Sequence, residues 1–138
     1  MPTDLIECLQ LWRAAEKEQA LFYRALAAEA EERGNAALSE RFNDLHADEQ
    51  HHVSRLTARL LELGAAPGEL AGIAPPPASF DVWEAAARDR EQHEVGRYSA
   101  ALEKGEPAMD ETTAALVAEI LDTERHHAQE LGGKWTPA

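Results

Sequence analysis

The sequence predicts an all-α protein whose four long helices pair into two antiparallel hairpins joined by a long crossover. Three observations lead to this fold class. The chain of 138 residues contains 27 alanines but only eight aromatic residues, a composition typical of closely packed helices. Apolar residues recur at three- and four-residue steps in four segments. Every proline falls outside those segments, and glycines stand where the segments end.

The lengths of the connections predict how the helices pair. The helices are predicted over residues 4–33, 35–63, 79 or 81–104, and 110–131. Almost nothing separates the first two and about six residues separate the last two, so each pair forms an antiparallel hairpin. We expect one domain over residues 1–131 and a flexible tail over 132–138.

The crossover is predicted over residues 64–79 and contains three consecutive prolines. When extended it reaches roughly 50 Å. Because a helix of about 25 residues is roughly 38 Å long, the crossover can span a whole bundle. Two alternatives stay open: an exchange of hairpins between two protomers, and a stiff surface linker.

Charge and cysteine content exclude several classes of protein. The formal charge of −13 argues against nucleic acid and anionic membranes as partners. A single cysteine, Cys8, excludes an intramolecular disulfide and any cysteine-based metal cluster within one chain. The sequence has neither an 18-residue apolar run nor a basic N-terminal leader, so we expect a cytoplasmic protein.

Each apolar stripe is interrupted by polar residues at the same spacing. The apolar members are Leu5, Leu9, Trp12, Tyr23 and Leu26, then Leu38, Phe42, Leu45, Leu56, Leu60 and Leu63, then Phe80, Ala87, Tyr98 and Ala101, and finally Thr113, Val117, Ile120 and Leu131. The interrupting residues are Glu16, Glu49 with His52, Glu91 with Glu94, and Glu124 with His127. Several ionised carboxylates in one core are very costly, and two divalent cations would compensate them. Each Glu-x-x-His pair places two ligands one turn apart on one face.

The two halves of the chain repeat this pattern. A shift of 75 positions places Glu16, Tyr23, Glu49, His51 and His52 on identical residues of the second half, and identity elsewhere is thin. The repeat is therefore concentrated on the proposed ligands, as a pseudosymmetric pair of metals requires.

With these motifs the sequence resembles the ferritin-like di-iron superfamily, chiefly the rubrerythrins and bacterioferritins, over about residues 4–131. The resemblance implies a ferritin-like four-helix bundle with two iron ions, or manganese in their place. Glu49 and Glu124 would bridge the metals, with Glu16 and His52 on one metal. Glu91 and His127 would hold the other.

The resemblance also suggests supporting residues. Glu94 matches an extra carboxylate ligand of rubrerythrins, and its counterpart Gln19 would make the site asymmetric. Tyr23 and Tyr98 match tyrosines that hydrogen-bond the ligands, although both also suit a core position. Asp48 would accept a hydrogen bond from His127, whereas Thr123 at the matching place departs from the pattern. The remaining candidates, His51 and His126, point away from the ligands and are expected at the surface or beside the ligands.

The main functional hypothesis is a rubrerythrin-type oxidoreductase that reduces hydrogen peroxide or O2. With one cysteine the chain has no rubredoxin module, so an external donor such as a rubredoxin-like protein would supply the electrons. The first alternative is a ferroxidase that oxidises Fe(II) for storage. A di-manganese catalase and a non-catalytic interaction protein remain open.

Two further expectations concern assembly and haem. Only GGKWTPA follows the fourth helix, so a closed storage shell built with a fifth helix is not expected. Gln50 stands where the bacterioferritin haem needs a methionine, so no haem is expected. We expect a homodimer, with hairpin exchange as a variant.

Overall fold

Four α-helices make up most of the chain. The computed structural model describes residues 2–70, 72 and 80–131. The helices are α1 (Pro2–Glu32), α2 (Ala36–Glu62), α3 (Trp83–Lys104) and α4 (Glu111–Glu130), and a short 3-10 helix, Phe80–Val82, precedes α3. Within these described ranges there is no β-strand. None of the described helices is long and apolar enough to cross a membrane.

The helix ends follow local sequence signals. The side chain of Asn35 accepts a hydrogen bond from the backbone N–H of Leu38, and Asp110 caps α4 in the same way. Gly105 ends α3 with a φ of 63°, a left-handed conformation that glycine adopts without strain. Pro2 corrects the expectation that every proline lies outside the helices. It is the first residue of α1, where its missing N–H is no loss.

The chain forms two compact units, Ile6–Phe80 and Asp81–Ala138 with Met1–Leu5. In the first unit, α1 and α2 run antiparallel. Ser39 Oγ donates to the carbonyl of Ala27 at 2.8 Å, and His46 Nδ1 lies 2.9 Å from the carbonyl of Ala20. Further along, Lys17 Nζ donates to the Gln50 side chain at 3.1 Å. As the position on α2 increases, the partner on α1 decreases, which defines the antiparallel hairpin.

The second unit contains α3 and α4, joined by the short segment around Gly105. Its hairpin is held partly by a hydrogen bond of 3.2 Å from Arg125 Nη2 to Ser99 Oγ. The tail at 132–138 lies outside the described residues, so its predicted flexibility stays a prediction.

The predicted apolar stripes are buried with two exceptions. Phe80 is half-buried in the short helix before α3. Leu63 is 37 % exposed, and its prediction as a core residue is wrong. The reason is that α2 ends at Glu62 and Leu63 is its C-cap, so the chain turns before the helical period brings this side chain inward.

The crossover contacts both ends of its own hairpin. Near its start, Gln10 donates to the carbonyl of Ala66 at 2.8 Å and accepts from the N–H of Gly68 at 3.0 Å. At its far end the ring of Phe80 lies 4.6 Å from the Arg33 guanidinium. Gln10 and Arg33 are 23 positions apart, or about 35 Å along a helix. The two described ends of the connection therefore contact α1 near opposite ends of that helix, and residues 71 and 73–79 between them lie outside the described part.

Arg13 provides a testable anchor for the crossover. Its guanidinium donates to Thr57 Oγ1 on α2 at 2.6 Å and to the carbonyl of Gly68 at 2.9 Å. Because these bonds are charge-assisted and Arg13 is only 9 % exposed, Arg13→Ala should lower the free energy of unfolding by about 1–3 kcal/mol. Urea denaturation measures the change.

The matched control is Arg24→Ala, which removes an exposed hydrogen bond of 3.2 Å to Asn43 on the same pair of helices. This control should change the stability by less than about 0.5 kcal/mol. Equal effects of the two substitutions would contradict the anchoring role of Arg13.

Candidate metal centre

In the first unit, three buried ligand residues meet between α1 and α2. We call Glu16, Glu49 and His52 the α1–α2 half-site. His52 Nδ1 lies 2.9 Å from Glu16 Oε1 and 3.0 Å from Glu49 Oε1. One ligand atom from each of the three residues lies within 4.8 Å of the others. Glu49 and His52 face the same side because they are one turn apart on α2, and Glu16 enters from α1.

The second unit repeats this arrangement between α3 and α4. Glu91, Glu124 and His127 form the α3–α4 half-site. His127 Nδ1 lies 3.3 Å from Glu91 Oε2 and 3.2 Å from Glu124 Oε1. Their ligand atoms also lie within 4.8 Å of one another. The ligands expected from the 75-residue repeat therefore form two triads of the same composition.

The spacing of the ligand atoms suits a divalent cation in each half-site. Two ligands bonded at about 2.1 Å to one ion stand about 3.0 to 3.4 Å apart for bond angles between a right angle and the tetrahedral angle. The nitrogen–oxygen distances in the two triads fall at or near this range. Carboxylate oxygen with imidazole nitrogen is a donor set for iron, manganese or zinc, without the thiolates that softer metals prefer.

Burial and charge strengthen the case for a cation. All four carboxylates of the two half-sites are fully buried, and the two histidines are at most 4 % exposed. A protonated imidazole carries one positive charge and faces two carboxylates, so each triad retains an excess negative charge. Buried net charge of this kind is costly, and a divalent ion reverses it.

Glu94 occupies a different place from the other predicted ligands. It is buried on α3, but it stands outside the Glu91–Glu124–His127 group. Arg97 Nη2 donates to Glu94 Oε2 at 2.5 Å. Arg97 was missed by the sequence analysis, although its three-residue spacing from Glu94 on one helix is a recognisable ion-pair signal.

Both predicted tyrosines are in the core, two helical turns after a ligand glutamate. Tyr23 and Tyr98 are fully buried. Tyr23 packs against the ring of Phe22 at 5.6 Å, and the guanidinium of Arg97 lies 5.0 Å from the centre of the Tyr98 ring. Their hydrogen bonds to the ligands stay a prediction.

The other polar candidates lie on helix surfaces. Asp48 is exposed on α2, and its hydrogen bond to His127 stays a prediction. His51 is exposed, and so is His126, whose Nε2 lies 3.1 Å from Glu130 Oε1. Cys8 is a half-buried free thiol.

Comparison with solved structures shows the fold. The bacterioferritin of Desulfovibrio desulfuricans, described with a di-iron site in different catalytic states, has a TM-score of 0.86 and 21% identity, covering 97% of this chain and 79% of its own. The Mycobacterium tuberculosis bacterioferritin has a TM-score of 0.82 and 19% identity, and the match covers 94% of this chain and 82% of the bacterioferritin chain. The Rhodobacter capsulatus bacterioferritin is described with a metal-free dinuclear site and haem iron. It has a TM-score of 0.82 and 18% identity, and the match covers 94% of this chain and 81% of the bacterioferritin chain.

These matches confirm the predicted ferritin-like four-helix bundle. No curated protein matches the chain in sequence. The model of the ferritin-like domain family matches residues 4–134, nearly the whole chain. By this match the chain belongs to the ferritin-like domain family.

Proposed function

We propose that this protein is a ferroxidase that binds two Fe(II) ions and oxidises them. The observation that carries the proposal is the pair of equivalent half-sites, each with two buried carboxylates facing one imidazole nitrogen. Each half-site would receive one Fe(II) as substrate. Following the family pattern, Glu49 and Glu124 would bridge the two ions.

The ligand set favours oxidation of the bound iron. Carboxylates are hard, anionic ligands and stabilise Fe(III) more than Fe(II). Two Fe(II) ions supply two electrons, which together with two protons convert O2 into hydrogen peroxide. The same two electrons and two protons convert hydrogen peroxide into two molecules of water. The contribution of the protein is two buried, preformed triads, each of which would hold one ion.

The similarity to bacterioferritins supports the ferroxidase alternative better than the rubrerythrin-type main hypothesis. A rubrerythrin-type enzyme uses the same metals as a resident cofactor and needs electrons from an external donor. Its chief sequence support was Glu94, whose carboxylate is bonded to Arg97. The external donor, manganese in place of iron, the absence of haem, the homodimer and the cytoplasmic location stay predictions.

Iron titration under anaerobic conditions, followed by stopped-flow oxidation, tests the proposal. Apo-protein should bind two Fe(II) ions per chain. When 20 Fe(II) ions per chain are supplied with O2 or peroxide and no reductant, the protein should oxidise all of them faster than the buffer does. Absorption near 300 nm follows the Fe(III) that forms.

Two results would count against the proposal. Oxidation that stops after two Fe(II) ions per chain and resumes only with a reductant indicates the rubrerythrin-type reaction. A chain that binds no Fe(II) points instead to a non-catalytic helical protein.

A further inference from the structure

The partly buried Glu94–Arg97 ion pair is a feature of α3 that the proposed ferroxidase reaction does not use. Arg97 Nη2 is bonded to Glu94 Oε2, and the two side chains are 29% and 7% exposed. Burial by itself lowers the pKa of the Arg97 guanidinium, but the neighbouring Glu94 carboxylate and Tyr98 raise it, and the net shift is upward. Arg97 is therefore a permanent cation, and it compensates the charge of Glu94 without any metal.

The position of Glu94 on α3 places it between two partners of opposite kinds. Glu91, a member of the α3–α4 half-site, lies one turn before it, and Arg97 lies one turn after it. The ligand atoms of Glu91, Glu124 and His127 gather within 4.8 Å of one another, and Glu94 stands outside that group. The carboxylate of Glu94 accepts a hydrogen bond from the guanidinium of Arg97, which lies one turn further along α3 than Glu94 does.

The internal repeat shows what the ion pair replaces. The shift of 75 positions sets Gln19 against Glu94 and Phe22 against Arg97. Gln19 is 1% exposed and Phe22 is 5% exposed, so the first-half residues are buried, whereas in the second half Glu94 is buried and Arg97 is half-buried. An amide with an aromatic ring carries no charge, and a carboxylate with a guanidinium sums to zero. Each half of the chain therefore places a net-neutral pair beside its triad.

We propose that Arg97 is a positioning residue that holds the Glu94 carboxylate in an ion pair and keeps it out of the metal ligand set. This inference rests on the proposed function, because it concerns the same two half-sites. With Glu94 held by Arg97, the α3–α4 half-site offers its ion two glutamates and one histidine from its own hairpin, as the α1–α2 half-site does. The two half-sites would then offer matched ligands to the two ions.

Cobalt(II) binding to the full-length protein tests the role of Arg97, because calorimetry gives the affinity and visible absorption reports the coordination number. Glu94→Gln should leave both Co(II) affinities within about twofold of wild type and the spectrum unchanged. Arg97→Gln releases the Glu94 carboxylate, so one Co(II) ion should bind about tenfold more tightly. Its visible absorption should also weaken, as it does when cobalt gains a ligand.

Two more variants separate positioning from a general effect on structure. The double variant Glu94→Gln with Arg97→Gln should return to wild-type affinity and spectrum, because no carboxylate remains to be released. Arg97→Lys, which keeps the positive charge, should also resemble wild type. Circular dichroism confirms the helix content of each variant, and Glu94→Gln alone decides the question if Arg97→Gln does not fold.

The outcomes distinguish the two proposals. If Glu94→Gln lowers the affinity for one Co(II) ion tenfold or more, Glu94 is a ligand in the wild-type protein. The inference about Arg97 is then overturned, while the ferroxidase proposal stands. An Arg97→Gln protein that binds Co(II) as wild type does also overturns it. If the wild-type chain binds no Co(II), the proposed function fails and the inference about Arg97 fails with it.

Discussion

His52→Ala should reduce the metal content from two ions per chain to about one and slow Fe(II) oxidation by about 100-fold or more. The imidazole is the only nitrogen ligand of the α1–α2 half-site, and its Nδ1 faces both carboxylates at 2.9 and 3.0 Å. Two-electron reduction of the oxidant needs both ions, so emptying one half-site stops the pair from acting together. Elemental analysis of iron-loaded protein and stopped-flow absorption measure the two effects.

The neighbouring histidine supplies a matched control for this prediction. His51→Ala removes an exposed imidazole from the adjacent position of α2 and should leave metal content and rate unchanged. The second half of the chain offers the same comparison. His127→Ala should behave as His52→Ala does, whereas His126→Ala removes only an exposed ion pair with Glu130. Equal losses for adjacent histidines would refute the assignment of ligands.

Glu49→Gln should make the metal-free protein more stable and remove most of its response to metal. Both carboxylate oxygens of Glu49 are buried beside a second buried carboxylate, so the amide relieves repulsion and desolvation by about 1–3 kcal/mol. In the wild-type protein, a metal at 100 times its dissociation constant adds about 2.7 kcal/mol per site. Two sites should raise the melting temperature by at least about 10 °C. Glu49→Gln should lose more than half of that rise.

Differential scanning calorimetry with and without Mn(II) measures both changes, because Mn(II) is stable in air. Glu40→Gln is the control, since Glu40 is exposed on the same helix and should alter neither the metal-free stability nor the response to metal. If metal-free Glu49→Gln were several kcal/mol less stable than wild type, Glu49 would be a structural residue rather than a ligand.

The sequence predicts the helices well but predicts only some of the polar contacts. The bounds of α2 and α4 were predicted to within one residue, because Asn35 and Asp110 cap the first turns of these helices and Gly64, with a φ of 83°, follows the end of α2. Most residues of the predicted apolar stripes are buried, because a buried helix face repeats with the helical period whatever packs against it. The prediction that Leu63 is a core residue was wrong because the apolar period continues past Glu62 in the sequence, whereas the helix ends there.

The candidate ligands could be predicted because six positions recur in matched triads at a fixed offset. The contacts that α1 makes with the crossover could not be predicted from the sequence. Arg13 bonds to the carbonyl of Gly68, and a backbone carbonyl leaves no signature in the sequence. Arg97 was within reach of sequence reasoning, since Glu94 lies three positions before it. A buried carboxylate has two ways to be compensated, by a metal or by a cation, and only the three-dimensional structure shows which partner it contacts.

The confinement of each half-site to one hairpin has a consequence for assembly during synthesis. Glu16 and His52 are 36 positions apart, and Glu91 and His127 have the same separation. All three ligands of the α1–α2 half-site therefore exist in the nascent chain before any residue of α3 is made. The α1–α2 hairpin would therefore carry three ligands for one iron ion while the chain is still being made, whereas the ligands of the second half-site are incomplete until α4 emerges.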